Sequence, residues 1–237
     1  MDSYPSYYSD FLNYINKYDF LFLTETWHSY TSNIDIDNFL NFSCPSPKCN
    51  RKAKRDSGGV VIYYHKKYFG HVKLMSVNNK GLIWIKLDKG YFSADNDVYI
   101  CNCYIPPEDS NVYKSRLSPL FDFDFFEHLL YDISEYERIG GVILIGDFNS
   151  QVGQRSVLIE NINLDRFVDL PVYDVPIDCL PPRSFDNQCN SFGNKLLLMF
   201  KEKSICIANG RKGDGKFTCN NRSRSRVAAS IVDYIIL

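Results

Sequence analysis

GVILIGDFNS, residues 141–150, is the stretch around which this chain is organised. Its apolar residues 142–145 are rich in β-branched side chains and bounded by glycines, which indicates a short strand buried on both faces. The strand ends in Asp147, Phe148 and Asn149, and a spacing of two puts the carboxylate and the carboxamide on one side of an extended segment. Functional sites in α/β sheets lie at such strand ends, but Asp and Asn are also ordinary turn residues. The stretch alone therefore leaves a site and a plain turn equally open.

Composition describes an ordinary folded domain. The chain has 237 residues, 45% of them hydrophobic and 15% aromatic, with a net charge of −1, so nucleic-acid binding would rest on local basic patches. The N-terminal MDSYPSYYSD lacks the features of a signal peptide and no apolar run is long enough to span a membrane, so we expect an intracellular protein. The eight cysteines are scattered, which favours reduced thiols over a zinc site.

Two further strands are predicted to end in polar side chains. Residues 7–18 have the apolar spacing of an amphipathic helix, and the strand 19–24 that follows ends at Glu25. The strand 98–104 ends at Tyr104, immediately before two prolines that stop a strand ladder. A second acidic strand end favours a shared site of the kind that hard cations occupy, although a core tyrosine and a solvated strand end remain open alternatives.

The remaining periodicity predicts a mixture of helices and strands. Residues 58–64, 82–87 and 98–104 are predicted strands of an antiparallel sheet, with a hairpin connection through 88–97. Helices are predicted at 121–136 and 190–203, short strands at 205–208 and 217–219, and loops at 151–189 and 220–226. The last segment, 228–237, is a predicted apolar strand in which Asp233 needs a partner.

Two basic segments are candidate phosphate contacts. The loop 44–57 is the most basic stretch of the chain, and the loop 220–226 carries three arginines. Either segment is also compatible with a plain solvated loop. The candidate substrate-binding residues are Arg51, Lys52, Lys54, Arg222 and Arg224.

Taken together, these motifs resemble the endonuclease/exonuclease/phosphatase superfamily. They are LTETW with Glu25, NCYIPP with Tyr104, IGDFNS with Asp147 and Asn149, and SIVDYIIL with Asp233. NSFGNKLLLMF and IANGRKGDGKFTC are similar in order and spacing to endonuclease domains of non-LTR retrotransposons. Each motif alone is weak, but five in the family's order are specific, and the resemblance covers nearly the whole chain.

The resemblance implies a fold and a chemistry. The implied fold is a four-layered α/β sandwich, two mixed sheets packed face to face with helices outside, as a single domain over residues 1–237. Family members cut phosphodiesters or remove phosphates with Mg²⁺ or Mn²⁺, and Glu25 would be the metal ligand. Asp147 would orient or deprotonate the attacking water, Asn149 would help to hold the scissile phosphate, and Tyr104 would donate to a phosphate oxygen. Asp233 would orient a catalytic histidine.

The sequence departs from the family pattern at both ends. The family opens with a strand that carries an Asn near the metal, whereas this chain begins at the helix that follows that strand. The family closes with Ser-Asp-His, whereas this sequence ends four residues after Asp233. None of its four histidines has that context, and His28, three residues past Glu25, is a weak substitute. The resemblance therefore implies an incomplete domain without its first and last strands and with impaired activity.

Three functional hypotheses follow. The first is a DNA-nicking endonuclease of a non-LTR retroelement, acting on the DNA backbone in the nucleus, with a reverse transcriptase joined downstream. The second keeps the site but acts on a small substrate such as a phosphoinositide, sphingomyelin or a nucleotide, because fold does not choose the substrate. The third is a non-catalytic relic or interaction fragment, with an exposed sheet edge prone to strand pairing.

Overall fold

The computed structural model describes residues 6–28, 35–45, 58–116, 118–153, 188–203, 205, 207–208, 219–223, 226–230 and 233–236. In this part of the chain the α-helices are α1 (Ser6–Ile15), α2 (Lys89–Phe92), α3 (Phe125–Glu137) and α4 (Ser191–Lys203). The strands are β1 (Phe20–Thr24), β2 (Phe39–Cys44), β3 (Val60–His65), β4 (Val72–Asn78), β5 (Leu82–Leu87), β6 (Val98–Tyr104), β7 (Gly141–Asp147), β8 (Cys219–Ser223), β9 (Arg226–Ser230) and β10 (Asp233–Ile236). None of the described helices is both long enough and apolar enough to cross a membrane.

The described strands form two main sheets. The small sheet has the order β1-β3-β2 and is antiparallel. The large sheet has the order β10-β7-β6-β5-β4, and its pairs are antiparallel except for β6 and β7, which run parallel. β8 and β9 pair with each other as a hairpin.

The sheets and helices stack as four layers. Aliphatic side chains of β5, β6 and β7 pack against aromatic and aliphatic side chains of β1, β2 and β3 in an inter-sheet layer. Leu12 and Ile15 of α1 cover the outer face of the small sheet. α3 and α4 cover the outer face of the large sheet, with Leu129, Ile133 and Phe200 fully buried there. Burial of each such side chain contributes about 1.5–3 kcal/mol to the free energy of folding. The order helix, sheet, sheet, helices confirms the predicted α/β sandwich.

β7 is covered on both faces, as its composition predicted. Leu144 is fully buried under the helices, whereas Ile143 and Ile145 pack into the inter-sheet layer. Gly146 has φ 141°, and a Cβ at this position would lie 1.9 Å from the carbonyl oxygen of Cys103 on β6. Only glycine permits this approach, because any side chain would push β6 and β7 apart.

Two of the predicted elements have different bounds because an Asp caps a helix. α3 begins later than the predicted 121–136, since the Asp124 carboxylate accepts hydrogen bonds from the backbone N–H groups of Phe126 (2.9 Å) and Glu127 (3.3 Å). The segment 88–97, predicted as a hairpin connection, contains the short helix α2, which Asp88 caps in the same way.

Other strands escaped sequence prediction or were misjudged. β2 was missed because Asn41 and Ser43 interrupt its apolar residues, and β4 because its register shifts between Leu74 and Ser76. The loop predicted at 220–226 is wrong in its first part, where the polar strand β8 pairs with β9. The single strand predicted at 228–237 is also wrong, since β9 and β10 belong to different sheets. At 205–208 the structure has only the isolated bridge between Ile207 and Ile236.

Some predictions fall outside the described residues. These are most of the loop 151–189, the turn chemistry at 209–215, and the start of the strand 217–219. Among the cysteines whose side chains are described, Cys44, Cys101, Cys103 and Cys189 are free thiols.

Candidate active site

Three polar side chains lie in one row across the large sheet, at the ends of three neighbouring strands. The strand register pairs Tyr104, at the end of β6, with Asp147, at the end of β7, and pairs Asp147 with Asp233, at the start of β10. The row faces the small sheet, because Tyr104 and Ile145 belong to the inter-sheet layer while Tyr234 packs on the opposite face. Asp233, for which the sequence offered no partner, therefore has Asp147 as its cross-strand neighbour.

Glu25 reaches this row from the small sheet. β1 ends at Thr24, and strict strand alternation would put Glu25 on the outer face with Leu21 and Leu23, which pack towards α1. Instead Glu25 has φ 52°, which breaks the alternation. The Tyr104 hydroxyl donates a hydrogen bond to Glu25 Oε1 over 2.8 Å and so joins the two sheets at the site.

A glycine turn holds the segment after Glu25. The backbone N–H groups of Thr26 and Trp27 donate to the carbonyl oxygens of Gly59 (3.3 Å) and Gly58 (2.9 Å). Gly59 has φ 90°, and a Cβ there would lie 2.8 Å from Thr26 Oγ1. Trp27 also has a positive φ, and its side chain is 47% exposed beside the site.

Asn149 ties the polar row to the following loop. Its backbone N–H donates to Asp147 Oδ1 over 2.9 Å, and its side-chain Nδ2 donates to the carbonyl oxygen of Ile105 over 2.8 Å. The Asn149 side chain also hydrogen-bonds the Asp147 carboxylate, so its amide group makes two contacts within the protein. Asn149 has φ 45°, which aims the loop away from the strand direction.

Sequence analysis missed two residues that fix this loop. The side chain of Asn190 accepts hydrogen bonds from Gln151 N (3.0 Å) and Gly193 N (2.7 Å) and donates to Asn149 O (2.9 Å). At Gly193 a Cβ would lie 1.8 Å from the carbonyl oxygen of Gln151, so α4 can approach the loop only with glycine there. The signal was available as an Asn before a helix with Gly three residues later, a helix-cap pattern.

The carboxyl of Asp147 has a strongly raised pKa. Burial raises its pKa most, the negative charges of Asp233 and Glu25 raise it further, and the Asn149 N–H lowers it, which leaves a pKa of about 7. A group that titrates near neutral pH can accept and release a proton under physiological conditions.

The Tyr104 phenol is held in its protonated form. Burial raises its pKa most, and the hydrogen bond to Glu25 together with the charges of Glu25 and Asp147 raises it further. At neutral pH the hydroxyl therefore remains a donor that can serve a carboxylate or a phosphate oxygen.

The donor set fits a hard divalent cation. Clusters of three or more His, Cys, Asp or Glu suited to a metal are absent from the described part of the chain. Mg²⁺ does not need one, because it usually takes one or two carboxylates and keeps its waters. The Glu25 carboxylate is exposed, and its negative charge and that of Asp233 raise the pKa of Asp147. Glu25 and water are thus suitable ligands for Mg²⁺ or Mn²⁺, and the cation would relieve this excess of negative charge.

The predicted basic residues have no described side chains. Arg51, Lys52, Lys54 and Arg224 lie outside the described residues, and Arg222 is described only as backbone in β8. His28 is buried, with its Nδ1 2.6 Å from Thr26 Oγ1. Its contacts support the turn, which disfavours it as a substitute catalytic histidine.

A comparison with protein families identifies this arrangement. The model of the Endonuclease/Exonuclease/phosphatase family matches residues 3–231. The chain belongs to this family. Family membership agrees with the sandwich of two sheets and flanking helices and with the polar strand ends that the sheets bring together.

Several solved structures have a similar fold. The catalytic domain of Xenopus laevis APE2 aligns with a TM-score of 0.59 and 13% identity over 96% of this chain and 76% of that chain. The endonuclease domain of TRAS1, a telomere-specific non-LTR retrotransposon, aligns with a TM-score of 0.52 and 12% identity over 96% of this chain and 76% of that chain. The 3′ phosphatase NExo from Neisseria, bound to a product DNA hairpin, aligns with a TM-score of 0.53 and 13% identity over 97% of this chain and 79% of that chain. At these identities the likeness shows the fold alone. No curated protein matches the sequence significantly.

Proposed function

We propose that this chain is a metal-dependent phosphodiesterase that nicks DNA, as the endonuclease of a non-LTR retroelement. The observation that carries the proposal is the meeting of Tyr104 and Glu25 beside Asp147, whose pKa is raised to about 7. Phosphodiester hydrolysis needs a base for the attacking water and donors or positive charge at the phosphate oxygens. The four strand ends supply these groups at one place.

Each residue has a distinct role in the proposed reaction. The ionised Asp147 takes a proton from the attacking water through the carboxylate oxygen that Asn149 N does not hold. Asp233 strengthens this base by its negative charge. When DNA binds, the Tyr104 hydroxyl exchanges its hydrogen bond to Glu25 for one to a phosphate oxygen, and the Asn149 side chain exchanges its hydrogen bond to Asp147 in the same way. A Mg²⁺ held by Glu25 would supply positive charge to the phosphate.

DNA is the proposed substrate because of the sequence motifs and the neighbours. NSFGNKLLLMF and SIVDYIIL are similar to the retroelement endonucleases, and one structural neighbour is the endonuclease domain of such an element. Another neighbour is bound to a DNA hairpin. We further propose that Arg51, Lys52, Lys54, Arg222 and Arg224 contact backbone phosphates, that a reverse transcriptase accompanies the domain, and that the protein works in the nucleus.

The direct test is nicking of supercoiled plasmid with Mg²⁺. The chain is compared with its Glu25→Ala and Asp147→Ala variants, each checked for folding by circular dichroism. Because the family places Ser-Asp-His after the strand that carries the Asp233 counterpart, all three proteins are also tested with that segment appended. Nicking that both substitutions abolish supports the proposal. Absence of nicking in folded protein, with and without the appended segment, contradicts it and favours a non-catalytic interaction domain.

The basic residues are tested by the salt dependence of DNA binding. Combined reversal of Arg51, Lys52 and Lys54 to Glu should weaken binding and reduce the slope of log affinity against log salt by about 0.9 for each lost phosphate contact. The matched control reverses Lys66, Lys73 and Lys89, exposed residues at the opposite ends of the strands from Tyr104. Equal slopes for the two triple variants would contradict the assignment.

A second candidate function is removal of a terminal phosphate. One structural neighbour is a 3′ phosphatase with a product DNA hairpin, and this sandwich fold does not choose between the two reactions. Release of phosphate from a hairpin with a 3′ phosphate, without nicking of closed plasmid, would support this function over an endonuclease. Phosphoinositide and nucleotide substrates tested in parallel cover the small-substrate alternative.

A further inference from the structure

Asn102 is a buried polar residue in the middle of the apolar inter-sheet layer. It lies on β6, is fully buried, and has Ile83 and Ile145 as its cross-strand neighbours in β5 and β7. An amide in such a place is unfavourable unless it makes hydrogen bonds. Its contacts therefore indicate what it does there.

The side chain of Asn102 joins the two sheets. Its Nδ2 donates to the carbonyl oxygen of Leu23 on β1 over 3.2 Å and to that of Val61 on β3 over 3.1 Å. Leu23 and Val61 are themselves register partners in the small sheet. One amide group of the large sheet is thus fixed to two neighbouring strands of the small sheet.

This bridge lies directly below the proposed site. Tyr104 is two residues after Asn102 on the same face of β6, and Glu25 is two residues after Leu23. Gly59, which holds the turn after Glu25, is two residues before Val61. The three strands that Asn102 connects are therefore those that carry the Tyr104 to Glu25 hydrogen bond and its supporting turn.

The bridge is not what selection for stability alone would choose. Asn102 Oδ1 is buried and has no hydrogen-bond partner among the described residues. A buried acceptor without a partner lowers stability and offsets part of what the two hydrogen bonds of Asn102 contribute. Such exceptions to core packing are expected where function requires them.

We propose that Asn102 is a positioning residue that sets the offset between the two sheets, so that Glu25 meets Tyr104. The apolar contacts of the inter-sheet layer have no preferred direction and allow the sheets to slide. The two hydrogen bonds of Asn102 have directions and remove this freedom one residue pair away from the site. A displacement of about 1 Å at reacting groups can lower a rate about 100-fold.

The test compares Asn102→Leu with Ile100→Ala, and Glu25→Ala gives the Tyr104 signal without its hydrogen-bond acceptor. Ile100 lies on the same strand and face, in the same apolar layer, two residues farther from Tyr104. Each protein is made with 3-fluorotyrosine, and Tyr104→Phe identifies the Tyr104 signal in the ¹⁹F spectrum. This signal reports the hydrogen bond to Glu25, and its change with added Mg²⁺ reports metal binding. Neither measurement needs activity.

We expect Asn102→Leu to move the Tyr104 signal towards its position in Glu25→Ala and to weaken Mg²⁺ binding at least about tenfold, as loss of supporting contacts does at metal sites. Ile100→Ala should lower thermal stability more and leave both readouts close to those of the parent chain. The proposal is overturned if Asn102→Leu keeps the parent signal and Mg²⁺ midpoint, or if both variants change them equally. If the Leu variant does not fold, the smaller Asn102→Val, which also removes both hydrogen bonds, decides by the same criteria.

The activity measurement rests on the proposed function and is kept separate. In a chain that nicks plasmid, Asn102→Leu should lower kcat with little change in the KM for DNA, because the residue does not touch the substrate. If the parent chain does not nick, the endonuclease proposal fails while the ¹⁹F experiment still tests Asn102. Unchanged kcat in an active chain would overturn the positioning role.

Discussion

Tyr104, Asp147 and Asp233 are held by a strand ladder, whereas Glu25 is held by a turn. The first three are register partners in the large sheet, so their spacing follows from the backbone pairing of β6, β7 and β10. Glu25 lies beyond the end of β1 and depends on its positive φ, the glycine turn and one hydrogen bond from Tyr104. The difference means that the row changes only if the fold changes, whereas Glu25 can be displaced in a folded protein.

The largest expected effect is a loss of activity in a protein whose strands β6, β7 and β10 remain paired. Asp147→Asn keeps the shape of the side chain and removes the base, so nicking should fall by about 10²–10⁴-fold. The control is Asp132→Asn, which removes another partly buried carboxyl whose pKa burial also raises, but on α3 against Trp84. Nicking rates from plasmid assays check both. Similar losses in the two variants would mean that fold damage, not chemistry, explains the result.

Crowding the contact between β6 and β7 should destabilise the protein. Gly146→Ala brings a methyl group into the Cys103 carbonyl and also meets a positive φ, so we expect a loss of about 3 kcal/mol in the free energy of unfolding. Gly141→Ala is the control, because nothing lies within 4 Å of a Cβ at that end of the same strand. Urea titrations measure the difference. Equal stabilities of the two variants would show that the ladder tolerates separation there.

The charges gathered at the row predict a pH effect on stability. Burial, with the charges of Asp233 and Glu25, raises the pKa of Asp147 to about 7, compared with about 4 in an unfolded chain. The folded state binds this proton more tightly, so in metal-free protein its stabilising effect is full below pH 4 and is lost as the pH rises to 7. With EDTA present, Asp147→Asn should have a Tm several degrees above the parent at pH 8 and close to it at pH 4. A Tm difference that is the same at both pH values would contradict this assignment.

The smallest expected effect is on the turn. Gly59→Ala crowds Thr26 Oγ1 at 2.8 Å and strains a positive φ, and it should lower stability by about 1–2 kcal/mol while it shifts Glu25 and slows nicking about tenfold. Gly70→Ala is a matched control, since Gly70 also has a positive φ but has nothing within 4 Å of a Cβ. Thermal melts and nicking rates separate the two effects. A Gly70→Ala variant that slows nicking equally would contradict a special role for the turn.

The sequence predicted the parts whose signal is local. The apolar run of β7, the strand ends at Glu25 and Tyr104, and the helices against the large sheet follow from composition and period. The partner of Asp233 could not be predicted in this way, because register is a property of two strands. Only the pairing of β7 with β10 shows that Asp147 lies opposite Asp233. The division of 228–237 escaped prediction for the same reason.

Other features depend on contacts between distant segments. Asn102 has no local signal, since an amide within the run YICNCY gains meaning only when Leu23 and Val61 lie above it. The orientation of the Glu25 side chain towards Tyr104 could not be predicted either, because strand alternation favours the opposite face of the small sheet. Gly146 is visible in the sequence as a boundary of the apolar run, but its contact with Cys103 depends on the parallel neighbour β6.

The positive φ values of Glu25 and Trp27 have an evolutionary consequence. Both are non-glycine residues in a backbone conformation that glycine or asparagine adopts at lower energy. Selection for a stable fold alone should therefore replace both residues early, whereas selection for the proposed metal ligand should retain Glu25. The residue at position 25 in related sequences thus records whether the proposed site was under selection.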